Sequence, residues 1–153
     1  MSEAAKSVGE TPGTVELAGE AVSGRILCAG KATGPVLALT LPLSFWGGVD
    51  HHGRIVDAHH PQLGHSVTGA VLAMASGRGS SSSSSVLAEL IRAGAAPAAI
   101  VLTQPDAIIT LGALAAAELY AVHVPVVQVA PAALDLFRLA GRSGQAVAVT
   151  ALG

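Results

Sequence analysis

The stretch Ser76–Leu90, which reads SGRGSSSSSSVLAEL, restricts the possible structure of this chain more than any other. The apolar residues after the serines repeat with the spacing of one helix face: Val86, Leu87, Leu90 and Ile91. Serine is a preferred N-cap, and the glycines before it permit a tight turn, so a strand, a glycine turn and a helix N-terminus are predicted. Such an N-terminus binds anions through its free N–H groups and its dipole. The alternative interpretation is a flexible serine-rich linker.

The composition indicates one domain and excludes two classes of partner. The 153 residues are 51% hydrophobic but only 3% aromatic, so the core is built from Ala, Val, Leu and Ile. With 12% charged residues, a net charge of −2 and no basic patch, nucleic acid is not expected as a partner. The apolar runs are too short to span a membrane, so no membrane association is expected either. The low charge indicates that a partner chain covers part of the surface.

The N-terminal residues and the single cysteine bear on domain organisation and compartment. Met1–Gly13 is polar, contains Gly and Pro, and lacks the apolar segment of a signal peptide, which predicts a disordered tail over residues 1–13. Residues 14–153 then form a single domain, and a cytoplasmic location is expected. Cys28 has no second cysteine to pair with and lies among apolar neighbours, so it is expected to be a buried small hydrophobe.

Periodicity and turn residues predict a β-rich first half followed by a βαβαβ arrangement. The candidate strands are Ala21–Ala29, Gly34–Leu41, Thr68–Ala75, Pro97–Leu102, Val122–Val129 and Ala146–Ala151. The candidate helices are Ser82–Ala93, Ile109–Tyr120 and Ala132–Ala140. The first two strands, joined by Gly-Lys-Ala-Thr-Gly, are expected to be neighbours. The predicted fold is α/β, with a mixed sheet or small barrel-like β core, flanking helices, and the serine loop at the carboxyl end of a strand, where sites concentrate.

Five histidines lie within fifteen residues: His51, His52, His59, His60 and His65. Their spacing matches neither the HExxH helix nor the paired Cys/His pattern of a zinc site. Adjacent histidines in an extended chain point to opposite faces, so each pair offers at most one ligand to a given site. We therefore predict loop or interface histidines and no metal site in this chain.

The serine loop does not match the common nucleophile or phosphate motifs. GRGSS is not the GxSxG elbow of hydrolases, and no GK[ST] closes a glycine loop. What remains is a serine at a helix N-terminus beside Arg78. That arrangement can bind a carboxylate, or lower the pKa of a hydroxyl so that the hydroxyl serves as a base.

Several separated motifs then occur in one order between Gly24 and Val129: GKATGPVL, LSFWGGVD, GRIVDAHHPQLGHSVTGAVLAMASGRGSSSSSSVLAELIRAGAAPAAIVL and LGALAAAELYAVHVPVV. Together they resemble the swivel domain, or small subunit, of aconitase X. The resemblance implies a swivelling β/β/α fold. It also implies a heterodimer with a large subunit that carries iron or an iron–sulfur cluster on its own cysteines, while this chain alone binds no cofactor.

The resemblance further implies a hydro-lyase acting on a small carboxylate substrate. Members of the family dehydrate cis-3-hydroxy-L-proline, to pyrroline-2-carboxylate, or phosphomevalonate. The few basic residues here favour hydroxyproline, with the phosphomevalonate dehydratase small subunit as the alternative. A further alternative is a non-catalytic module that binds an anion or a protein partner.

The candidate site residues follow from the Gly-Ser-Ser-Arg motif of aconitases, whose serine is the base. Gly79-Ser80-Ser81 matches its first three residues, which makes Ser80 the candidate catalytic base. The motif's arginine is absent, since Ser82 stands there and Arg78 precedes the motif instead. The candidate substrate-binding residues are Gly79, Ser81, Arg78, Gly47, Gly48 and His60. Trp46 is expected in the core or at the subunit interface.

Overall fold

The computed structural model describes residues 12–17 and 20–152. The strands in these ranges are β1 (Pro12–Leu17), β2 (Glu20–Cys28), β3 (Gly30–Ala38), β4 (Val71–Met74), β5 (Ala99–Leu102), β6 (Val126–Val129) and β7 (Ala146–Ala151). The helices are α1 (Phe45–Gly48), α2 (Ser82–Arg92), α3 (Ala107–Tyr120) and α4 (Ala133–Arg142). The strands close into a barrel in the order β1-β2-β6-β5-β4-β3-β7, which confirms the predicted α/β class with a small barrel-like core.

The barrel combines a parallel and an antiparallel part. Strands β3, β4, β5 and β6 pair in parallel, whereas β1, β2 and β7 join them and each other in antiparallel fashion. All four residues of β4 and of β5 are buried, as expected for strands covered on both faces. The predicted tail over residues 1–13 lies outside the described residues, except for Pro12 and Gly13, which pair in β1.

The prediction that the first two strands are neighbours is wrong. Strand β2 pairs with β1 and β6, whereas β3 pairs with β4 and β7. The glycine segment between them, read from the sequence as a connection, lies inside β3. Its glycines serve close packing, because a Cβ at Gly30 would lie 2.9 Å from Pro125 Cδ and one at Gly34 would overlap the Gly69 carbonyl oxygen.

Alternate residues of the central strands belong to two different buried clusters. Leu72 and Met74 of β4 point toward α2 and α3, whereas Val71 and Ala73 of the same strand join the cluster that contains Phe137 of α4. Cys28 belongs to the first cluster and is 2% exposed, so the prediction of a buried cysteine is confirmed. Helices α2 and α3 therefore pack on the first cluster, and α4 packs on the second.

The predicted helices are present with small shifts at their ends. Helix α2 starts at Ser82 as predicted, which excludes the interpretation of the serine run as a linker. Helix α3 begins at Ala107 behind the cap Asp106, and Gly112 lies against α2, where a Cβ would be 2.8 Å from the Ser84 carbonyl oxygen. The sequence did not indicate β1 or the single-turn helix α1. Among the described residues, no helix combines the length and the apolar character needed to cross a membrane.

Candidate functional site

Ser80 lies at the point where the glycine turn becomes helix α2. Its carbonyl oxygen accepts from the Ser83 N–H at 2.9 Å, and its Oγ accepts from the Ser82 N–H at 3.3 Å. Ser81 is the N-cap, is exposed, and makes no capping bond with its side chain. The hydroxyl of Ser80 therefore lies at the positive end of the α2 dipole.

Two anchors hold the glycine turn before Ser80. The Gly77 N–H donates to Asp106 Oδ2 at 3.0 Å, and the Arg78 N–H donates to the Leu43 carbonyl oxygen at 3.1 Å. Asp106 Oδ1 accepts from the first N–H groups of α3, those of residues 108 and 109, both at 3.0 Å. A Cβ at Gly77 would lie 2.6 Å from Asp106 Oδ2, so only glycine allows this approach. One carboxylate thus caps α3 and fixes the loop that carries Ser80.

The short helix α1 forms the wall of a cleft opposite Ser80. Trp46 and Gly47 have non-helical dihedral angles, and Gly47 has a φ of 78°, a conformation that favours glycine. Ser83 Oγ accepts from the Trp46 N–H at 3.1 Å and lies 3.2 Å from Ser44 Oγ. The wall is therefore tied directly to the first turn of α2.

These segments enclose an open cleft of about 550 Å³. Its lining residues are Ser44, Trp46, Gly47, Gly48, Asp57, His59, Arg78, Gly79 and Ser80. The structure thus brings five of the predicted site residues together: Arg78, Gly79, Ser80, Gly47 and Gly48. Trp46 is 58% exposed and lies at this cleft, so the structure excludes the core as its location, and the subunit interface stays a prediction.

The structure does not bring Ser81 or His60 into the cleft lining. Ser81 faces solvent at the N-cap. His60 is 5% exposed, with Nε2 3.0 Å from the Leu41 carbonyl oxygen and Nδ1 accepting from the Gln62 N–H at 3.0 Å. Because Nδ1 accepts, the ring proton is assigned to Nε2, and both ring nitrogens are occupied by backbone partners. His60 therefore holds its own loop, and its neighbour His59 takes the place at the cleft.

Asp57 and His59 were missed as cleft residues by the sequence reasoning. Asp57 Oδ1 accepts from the His59 N–H at 2.9 Å, an Asx turn for which the DAHH segment is a local signal. The turn itself was predictable, but its place at the same cleft as Arg78 depends on the packing of distant segments. Asp57 and Arg78 form no ion pair with each other or with any other group of the described residues.

Asp50 organises the connection between α1 and Asp57. Its Oδ1 accepts from the Arg54 N–H at 3.0 Å and from the His52 N–H at 2.9 Å. The bond from the Arg54 N–H, followed by that from the His52 N–H, holds the pKa of the Asp50 carboxyl below its usual range. After this turn, the Val56 N–H donates to the Gly48 carbonyl oxygen at 2.9 Å. This bond joins the segment that carries Asp57 to the end of α1.

The histidine-rich loop shows no clustering of metal ligands. The rings of His51 and His52 contact each other with centroids 3.9 Å apart. In the residues described here, no three His, Cys, Asp or Glu side chains converge as a metal site would require.

Comparison with known proteins finds one matching family model and several proteins of similar sequence and structure. A family model described as the aconitase X swivel domain matches residues 21–151. Over 103 residues the chain is 50% identical to the cis-3-hydroxy-L-proline dehydratase of Pseudomonas aeruginosa, covering 67% of this chain but 18% of that enzyme. This chain thus spans less than a fifth of that relative's length.

For shorter relatives, the match covers a larger share of the relative's own length. The phosphomevalonate dehydratase small subunit of Methanothermobacter thermautotrophicus is 44% identical over 93 residues, which cover 60% of this chain and 71% of that subunit. A crystal structure of Thermococcus kodakaraensis aconitase X in its holo-form superposes with a TM-score of 0.65 at 31% identity. That match covers 85% of this chain and 96% of the solved one.

Proposed function

The chain belongs to the aconitase X swivel-domain family, and from that membership we propose that it is the small subunit of an aconitase-X-type dehydratase. The observation that carries the proposal is the position of Ser80, at the N-terminus of α2 and facing a glycine wall across an open cleft. Relatives named as small subunits are similar in extent to this chain, which supports a large subunit as the partner.

In the proposed reaction, cis-3-hydroxy-L-proline loses water. The Cα–H bond breaks and its proton moves to Ser80 Oγ, its electron pair forms the Cα=Cβ bond, and the Cβ–O bond breaks with its electrons remaining on the departing hydroxide. The hydroxide takes up one proton from solvent and leaves as water, and Ser80 returns its proton to solvent. The resulting enamine then tautomerises to pyrroline-2-carboxylate. Ser80 acts as the base in its alkoxide form, which the helix dipole and the Ser82 N–H stabilise.

The other cleft residues bind the substrate. Arg78 pairs with the substrate carboxylate, and the backbone of Gly79 approaches the same group closely. As the proton leaves Cα, negative charge grows on that carboxylate, and donors already directed at it stabilise the transition state more than the ground state. Gly47 and Gly48 leave room on the opposite wall for the ring.

The charges at the cleft favour hydroxyproline over phosphomevalonate. Of the nine described residues that line the cleft, Arg78 is the one Lys or Arg, and the lining also includes the carboxylate of Asp57. A substrate that carries a phosphate ester as well as a carboxylate needs more positive charge than this lining offers. The phosphomevalonate dehydratase small subunit remains the second candidate, since relatives of that name match this chain.

Iron is assigned in this proposal to the large subunit. The described residues do not offer a donor set that fits an iron centre, because no three potential ligands converge and the chain has one cysteine, which is buried. The residues of this chain would then supply the base and the carboxylate contacts, and a cytoplasmic heterodimer is the expected form of the enzyme.

The test is reconstitution of the chain with its large subunit, followed by assays on cis-3-hydroxy-L-proline and on phosphomevalonate. Ser80→Ala should lower kcat by at least about a hundredfold while the complex still forms, as expected for loss of a general base. Ser85→Ala, an exposed position of the same serine run, is the matched control and should retain activity. Normal turnover in Ser80→Ala would refute the assignment of the base. Failure to bind any larger chain would favour the anion-binding module.

A further inference from the structure

Ser83 is the one serine of the run that is buried while its neighbours on the N-terminal side face solvent. It is 4% exposed, whereas Ser81 and Ser82 are exposed. A buried hydroxyl needs hydrogen-bond partners, and both partners of Ser83 Oγ belong to the opposite wall of the cleft. They are the Trp46 N–H at 3.1 Å and Ser44 Oγ at 3.2 Å.

The proton positions in this cluster follow from counting donors. Ser44 Oγ donates its single proton to the Trp46 carbonyl oxygen at 2.9 Å. The bond between the two hydroxyls must therefore use the proton of Ser83. The result is a closed ring that runs from the Trp46 N–H to Ser83 Oγ, on to Ser44 Oγ, and back to the Trp46 carbonyl. Bonds linked in this way polarise and strengthen one another.

We propose that Ser83 is a positioning residue that fixes the separation of the two cleft walls through this ring, which we call the serine latch (Ser44, Trp46 and Ser83). The backbone of Ser83 holds Ser80 by the 2.9 Å bond to its carbonyl oxygen, and its side chain holds Trp46. One residue thus links the candidate base to the facing wall. The kinetic part of this inference rests on the proposed function, whereas the structural part does not.

The wall depends on the latch because it has little regular structure of its own. Trp46 (φ −80°, ψ 118°) and Gly47 (φ 78°) interrupt the single turn of α1, and Ser44 makes no side-chain capping bond to it. Loss of the latch therefore leaves Trp46 and Gly47 free to move relative to Ser80, although α2 itself remains packed.

Ser84 provides a matched control on the same turn. Its Oγ donates to the Ile108 carbonyl oxygen at 2.7 Å, a tertiary bond to α3 rather than to the cleft wall. Ser83→Ala and Ser84→Ala are the same chemical change at adjacent helix positions, and each removes one hydroxyl that bonds another segment. They differ in whether the lost bond crosses the cleft.

The first readout uses Trp46, the single tryptophan of the sequence, in the full chain without substrate. Ser83→Ala and Ser44→Ala should each increase acrylamide quenching and lower the fluorescence anisotropy, because both open the same ring. Their double variant should change little further, since the two serines share one interaction. Ser84→Ala should match wild type. Wild-type quenching in both Ser83→Ala and Ser44→Ala would overturn the latch, and Ser44→Ala alone decides the matter if Ser83→Ala fails to fold.

The second readout is turnover of cis-3-hydroxy-L-proline by the reconstituted enzyme. Ser83→Ala should lower kcat about five- to tenfold with a smaller change in KM, because misplacing the walls affects the transition state more than binding. Ser84→Ala should keep the wild-type kcat. An active wild-type enzyme with an unchanged Ser83→Ala kcat would refute the positioning role. An inactive wild type with altered quenching would instead count against the proposed function and leave the latch standing.

Discussion

Replacing Asp106 with alanine is expected to release the glycine turn and the start of α3 together. Asp106 is partly buried and accepts three backbone N–H bonds at 3.0 Å: two from α3 and one from Gly77. Loss of an N-cap costs about 1 kcal/mol, and loss of a hydrogen bond to a charged acceptor costs about 2 kcal/mol. The free energy of unfolding should therefore fall by about 3 kcal/mol in Asp106→Ala.

Asp106→Ser separates the two contributions. Serine is a good N-cap and keeps the bonds to α3, but its single short hydroxyl has no second acceptor for the Gly77 N–H. We expect Asp106→Ser to lose about 2 kcal/mol and Asp106→Ala about 1 kcal/mol more. For a chain of this size, the alanine variant should melt about 6–12 °C below wild type.

The assay is urea unfolding followed by far-ultraviolet circular dichroism, with thermal melting as a second measure. Asp135→Ala is the control, because its carboxylate is 82% exposed and pairs with Arg138 on the same helix. That variant should differ from wild type by less than about 1 kcal/mol. An Asp106→Ala variant within about 0.5 kcal/mol of wild type would refute the claim that this carboxylate holds both segments. Equal losses in the serine and alanine variants would refute the separate capping term.

Three further substitutions or treatments test other parts of the structure. Gly112→Ala should lower the free energy of unfolding by about 1–3 kcal/mol despite the better helix propensity of alanine, because the new Cβ would lie 2.8 Å from the Ser84 carbonyl oxygen; a melting temperature equal to wild type would contradict this. His60→Ala should cost about 1–3 kcal/mol in urea unfolding through its two lost backbone bonds, yet leave the pH–rate profile of the reconstituted enzyme unchanged; an altered profile would assign His60 to the chemistry. Burial raises the pKa of the Cys28 thiol, so the unfolded chain loses that proton first and stability should decline as pH rises above about 8.5. Cys28→Ala should show a shallower decline in unfolding free energy, and identical slopes would argue against the burial effect.

Local signals in the sequence were sufficient for much of this architecture. The serine N-terminus and the apolar spacing after it predicted α2 from Ser82, and the period of the last segment predicted β7 at Ala146–Ala151 without error. The motif residues Arg78, Gly79 and Ser80 were predicted to lie together at a helix start, and they do. Caps, turns and periodicity operate within a few residues of one another, so a single sequence contains them in full.

Contacts between distant segments were decided only by the tertiary structure. In the closed barrel, β2 pairs with β1 and β6, whereas β3 pairs with β4 and β7, so β2 and β3 are not neighbours. The glycine segment that was predicted to connect them lies inside β3. The spacing of four residues between Ser83 and Leu87 puts Ser83 on the buried face of α2. Its partners in the serine latch lie 37 and 39 positions away in the chain, so only the tertiary structure identifies them. The sequence also could not show that His59, and not His60, lies at the cleft. His60 is held in its loop because its ring bonds two backbone groups, and one of them, the Leu41 carbonyl, is distant in the chain.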